Sequence, residues 1–147
     1  MDISFHSEGI RFELKAKIRH KKWIRKWLES HQFQAGEISY VFTSNEQLRL
    51  INKKFLNHNY FTDVITFDYS EGKTISGDVF ISMEQVRLNA ETYHVSLDEE
   101  QRRVMIHGIL HLMAYNDASK EEQRIMREKE NEALHLWLKL SENDFRI

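Results

Sequence analysis

Apolar residues recur along this chain at two spacings. Leu14, Ile18, Trp23, Ile24, Trp27 and Leu28 fall at helical spacing and predict an amphipathic helix over about 14–31. Asp63–Phe67 and Asp78–Ser82 alternate branched or aromatic residues with polar ones, the pattern of strands, and shorter strands are expected near 3–6 and 37–43. Between the first two, Ser70–Lys73 and Ser76–Gly77 are turn material. Ser44 or Asn45 is placed to cap a helix at roughly 45–56, and another is expected over 83–94. Two capping boxes mark the remaining helix starts. Ser96-Leu97-Asp98-Glu99 opens one, and Ser119-Lys120-Glu121-Glu122 opens a last one that runs to about Leu140 through Ile125, Met126, Ala133, Leu134 and Trp137. The order β-α-β-α-β-β-α-α-α predicts an α+β fold: a small mixed four-stranded sheet packed with about five helices, residues 1–147 forming a single domain.

Composition narrows the chemistry. A chain of 147 residues can bury about two-thirds of its unfolded surface, enough for one core. It has no cysteine, so disulfides and thiolate metal sites are excluded and any metal must be held by His and carboxylates. Met1–Phe5 lacks a basic region followed by an apolar run, and no stretch approaches the ~20 apolar residues that cross a bilayer. A cytoplasmic protein without membrane contact is expected. The net charge of −2 is uninformative as an average, but residues 1–27 hold eight Lys/Arg against three Asp/Glu. That basic helix could track phosphates; its apolar stripe favours a helix that buries Trp23 and Trp27 and solvates its charges.

The segment His107–Asp117 carries the candidate chemistry. His107 and His111 sit one helical turn apart and can offer ring nitrogens to one ion. Ordinary surface or core histidines would show the same spacing. The second capping box bears on the choice: if Ser119 begins a new helix, residues 115–118 form a tight connection and Asp117 is held near the end of the histidine helix. Three protein ligands leave a position open for water, as in catalytic zinc sites. The spacing overlaps the zincin pattern HExxHxxGxxH, but the general-base Glu is replaced by Gly108 and the turn Gly by Ala114. Peptide hydrolysis would need another base, whereas RNA carries its own 2′-hydroxyl nucleophile. The catalytic species is then water on the metal, with no side-chain general base assigned. Gly108 costs ~1 kcal/mol in a helix relative to Ala, which a close approach of sheet or substrate backbone would explain.

These residues resemble the signature of the YbeY family of endoribonucleases, HGxLHLxGYDH. His-Gly-x-Leu-His-Leu is matched at 107–112 and Tyr115 is matched, while Gly becomes Ala114 and the final Asp-His becomes Asn116-Asp117. The resemblance continues in Asn52-x-x-Phe55, Thr62–Phe67, Ser76–Ser82, Met126 and Glu130. It implies a metal-dependent, single-strand-specific endoribonuclease in ribosomal RNA maturation, at the 3′ end of the small-subunit (16S) RNA. It also implies ribosomal or small-subunit assembly partners, a zincin-like metal site on a helix, and His107, His111 and Asp117 as ligands. Zinc is the expected ion, although the carboxylate makes the site friendlier to harder ions such as Mn²⁺ and its water less acidic. Two departures stand out: the family Arg after the aromatic residue is Leu56, and the Pro before Thr is Phe61. Lys53, Lys54 and His58 are candidates to replace that Arg, and Thr62 and Asp63 could line the cleft. Asp78 and Glu130 are expected to support the site or the fold. A zincin-like metallopeptidase, and a non-catalytic ribosome-associated protein with a structural metal, are the alternatives.

Overall fold

A computed structural model describes residues 2–56 and 62–144, the side chains of 141–144 apart. Among these residues the strands are β1 (Ile3–Ser7), β2 (Gln34–Thr43), β3 (Val64–Asp68) and β4 (Thr74–Ser82). The helices are α1 (Lys17–Ser30), α2 (Asn45–Leu56), α3 (Met83–Tyr93), α4 (Leu97–Leu112) and α5 (Lys120–Asp144). The sheet order is β1-β2-β4-β3, with β1, β2 and β4 parallel and β3 antiparallel to β4 at the edge. The predicted α+β architecture and element order hold.

Local chemistry sets most boundaries. Ser44 rather than Asn45 caps α2, its Oγ accepting from Gln47 N at 3.2 Å. Ser96 Oγ accepts from Glu99 N at 3.1 Å at the start of α4. At α5 the capping box closes in both directions, Glu122 N to Ser119 Oγ at 3.0 Å and Ser119 N to Glu122 Oε1 at 2.9 Å.

Two expectations are corrected. Ser76–Gly77 lie inside β4, because the hairpin turns earlier, around Gly72 in the left-handed region with Glu71 bridged to Thr74. Gly77 marks a close approach instead of a turn: a Cβ there would sit 2.4 Å from Phe67 O and 3.0 Å from Leu112. Ile18 is 73% exposed, since α1 begins only at Lys17 and its buried stripe runs through His20, Trp23, Ile24, Trp27 and Leu28. His20 holds the inward position, and burial pushes its imidazole down to about 4.

Ile38, Tyr40, Val79 and Ile81 of the sheet, Trp23 and Leu28 of α1, Met105 and Ile109 of α4 and Trp137 of α5 belong to one buried core. Trp23 Nε1 donates to Ala133 O at 2.7 Å, tying α1 to α5. Tyr40 OH donates to Met105 O at 3.0 Å, tying α4 to the sheet. The other side of the sheet meets α2 through Phe55, Phe67 and Phe80, whose rings pack edge to face. Gly108 lets α4 settle onto the sheet, because a Cβ there would lie 2.7 Å from Val79 Cγ1. The sheet thus explains the glycine through a side chain and not through its backbone. With Met105, Ile106, Ile109 and Leu110 fully buried, α4 is a rigid base for the histidines it carries.

Candidate metal centre

The end of α4 brings the site together. Met113 is the C-cap and Ala114 adopts φ 74; Ala114 N bonds His111 O at 3.0 Å and Tyr115 N bonds Leu110 O at 3.0 Å. This pair of bonds is a Schellman turn, which reverses the chain after Leu112. Glycine is the residue such a position favours, so Ala114→Gly is expected to stabilise the protein by about 1 kcal/mol, offset in part by the freer unfolded chain. Urea denaturation measures it, and a lower midpoint at unchanged slope would refute the assignment of strain to this residue.

Beyond the turn, Gln123 Nε2 of α5 donates to Asp117 O at 3.1 Å. The carboxylate of Asp117 then faces both histidines. His107 Nε2 lies 3.1 Å from His111 Nε2 and 3.2 Å from Asp117 Oδ2, and His111 Nε2 lies 3.4 Å from the same oxygen. Ligands ~2.0–2.1 Å from a tetrahedral Zn²⁺ stand ~3.3 Å from one another, so the three atoms already form one face of such a tetrahedron. Among the described residues they make up the cluster of His, Asp and Glu able to hold an ion.

His107 is oriented from behind. Its Nδ1–H donates to Glu130 Oε2 at 2.7 Å, which leaves Nε2 with its lone pair toward the ion position. Glu130 is buried on α5, and its other oxygen accepts from Arg103 Nη1 at 2.9 Å. Burial pulls the His107 pKa down, but the bond and charge of Glu130, with Asp63 and Asp117, outweigh it and leave it raised. At His111, burial and the neighbouring His107 charge win and the pKa is lowered. Burial raises Glu130, yet His107 and Arg103 more than reverse this and keep it ionised.

The three candidate ligands open into a pocket of about 400 Å³ between α2, β3 and α4, whose lining includes Asn52, Leu56, Thr62, Asp63 and Thr66. Leu56, where the resemblance led us to expect an Arg, forms part of its wall. Asp63 is raised by burial and accepts from Asn89 Nδ2 at 3.2 Å. Lys53 and Lys54 stand exposed on the last turn of α2 and do not line this pocket. His58 and Phe61 lie outside the described residues. Asp78 is away from the site: Val79 faces α4, so its neighbour points to the opposite side of the sheet, where Asp78 accepts from Tyr69 OH at 3.2 Å. Arg103 and Asn89 had no signal in the sequence, since their partners Glu130 and Asp63 are distant in the chain.

The family described as Endoribonuclease YbeY matches residues 3–137. A protein of Parabacteroides distasonis named Endoribonuclease YbeY is 46% identical over 134 residues, which cover 91% of this chain and 94% of that one. One of the same name from Flavobacterium psychrophilum is 44% identical over 135 residues, 92% of this chain and 96% of the relative. A solution structure of a protein from Thermotoga maritima superposes with a TM-score of 0.65 at 22% identity, covering 97% of this chain and 93% of that one, and shows a shared fold. With a family match along nearly its whole length and the histidine helix in place, the chain belongs to the YbeY family of endoribonucleases.

Proposed function

We propose that residues 1–147 act as one zinc-dependent endoribonuclease domain that cuts single-stranded RNA during ribosomal RNA maturation, working in the cytoplasm with the ribosome or its small-subunit assembly factors. The observation that carries the metal reading is the 3.1–3.4 Å triangle of His107, His111 and Asp117 on one wall of an open pocket. The family membership supports RNA as the substrate. Among the described residues no helix is long and apolar enough to cross a membrane, in keeping with the proposed location.

When bound, the ion would supply Lewis acidity that activates water or the RNA 2′-hydroxyl and offsets charge on the phosphorus oxygens. The chain supplies the rest. Glu130 holds His107 in one tautomer, and the Schellman turn with Gln123 holds Asp117 on the ligand face. Gly108 stands where a peptidase of the zincin type carries its glutamate base, so the site offers no such base for amide cleavage.

Zinc-loaded protein incubated with single-stranded RNA, duplex RNA and a mixed peptide library is expected to cut the single strand, spare most of the duplex and leave the peptides intact. Peptide cleavage that outpaces RNA cleavage would overturn this reading. Elemental analysis of protein purified without added metal tests the zinc assignment, with manganese at one equivalent the result that would replace it.

A further inference from the structure

A second recess opens between α3, α4 and α5 and shares His107 and Asp63 with the metal pocket, so the two meet at those side chains. Two residues on different helices line it with exposed surface. Tyr93, the last residue of α3, is 58% exposed and has no hydrogen bond or ring contact among the described residues. The left-handed His94 directly after it ends the helix. Arg127 of α5 is also exposed. Its ion pair with Glu130 Oε1 is long, 3.8 Å, because Arg103 already holds that oxygen at 2.9 Å. Arg127 makes no hydrogen bond among the described residues, which leaves its guanidinium donors available.

Of the other lining residues, Arg103 already commits its guanidinium to Glu130 and Asn131, which leaves the carboxylates of Asp63 and Glu100 facing the recess. Asn89 bridges Asp63 and the buried Glu100. Carboxylates accept from hydroxyl and amino groups and repel phosphate, so an entering nucleotide would turn its sugar or base edge toward them and its phosphate toward Arg127. We propose that this recess is a subsite for the nucleotide adjoining the cleaved phosphodiester, with the Tyr93 ring stacked on its base and Arg127 paired to its phosphate. The proposal rests on the endoribonuclease reading above. Stacking on an aromatic ring tolerates any base, so the subsite favours unpaired RNA without choosing a sequence.

The experiment compares full-length zinc-loaded wild type with Tyr93→Ala, Tyr93→Phe, Arg127→Ala and Arg124→Ala. Cleavage of a short single-stranded RNA gives kcat and KM, and fluorescence anisotropy of the same RNA gives Kd over a range of salt. Tyr93→Ala is expected to raise KM and Kd roughly tenfold with little loss in kcat, and Tyr93→Phe to restore both. Arg127→Ala should weaken binding and lower the salt slope by about one, whereas Arg124→Ala, on the same helix but paired with Glu121 and Glu128, should not. Wild-type cleavage with KM, Kd and salt slope unchanged in both Tyr93→Ala and Arg127→Ala overturns the subsite alone. A wild type that binds RNA without cutting it overturns the enzymatic reading while the anisotropy series still decides the subsite; a wild type that does neither overturns both.

Discussion

Replacing His111 by Ala is expected to lower cleavage of single-stranded RNA by about a thousandfold or more and to reduce bound zinc from one equivalent to near none. The substitution removes one corner of the three-ligand face, leaving His107 and Asp117, which cannot close a site for a catalytic ion. It should do so without unfolding the protein. His111 lies on the last turn of α4, its side chain 28% exposed, and Ala is the best helix former. Zinc content, RNA cleavage and far-ultraviolet circular dichroism on the same preparation separate the outcomes. Equal cleavage by wild type and variant would trace the activity to a contaminating nuclease, and a variant that keeps a full equivalent of zinc would remove His111 from the ligand set.

Glu130→Ala should be nearly as damaging although Glu130 touches no ion. One carboxylate holds His107 through Oε2 and Arg103 through Oε1, and it is buried. Its loss strips a partner from both. Loss of such an outer partner of a metal-binding His typically lowers metal affinity 10- to 100-fold. Removing one member of a buried ion pair costs about 3–5 kcal/mol, and because Arg103 is partly solvated the lower end, about 3 kcal/mol, is expected here. The pH dependence identifies the cause. Zinc held as proposed would compete with a proton for His107, whose pKa is, despite burial, raised above the ordinary 6.5 by the bond and charge of Glu130. Affinity in the wild type should therefore climb as pH rises through and above that value, where the imidazole becomes neutral. Without the carboxylate the climb should move to lower pH. Competition titrations across about pH 6 to 8 measure it, and a variant with wild-type zinc affinity and pH profile would show that Glu130 serves only the packing of α5 on α4.

Glu130 also shows where reading residues in order stops. Its match to the family pattern singled it out, but only as a residue that supports site or fold; the hydrogen bond to His107 spans 23 positions and depends on how α5 crosses α4. Ile18 fails for the same reason. Its spacing suits a buried stripe, and it became exposed because the rotation of α1 is set by Trp23 against Ala133 and by His20 against Trp137. Ser76 and Gly77 have turn chemistry, yet strand pairing with β2 and β3 and the approach of Leu112 override it.

By itself the sequence determined the order of elements, the capped starts of α2, α4 and α5, the pairing of His107 with His111, and the short connection that keeps Asp117 near them. All of these are settled within a few residues, by helical geometry and by side chains that bond their own backbone. The tertiary structure alone decided that Asp117 turns its carboxylate onto both imidazoles, that Glu130 and Arg103 stand behind His107, and that Leu56 stands in the pocket wall while Lys53 and Lys54 do not. It also decided that Tyr93 and Arg127 line a second recess, which meets the first at His107 and Asp63. Those contacts join α2, α3, α4 and α5 across long stretches of chain, and they exist only once the buried core has fixed how the helices lie on the sheet.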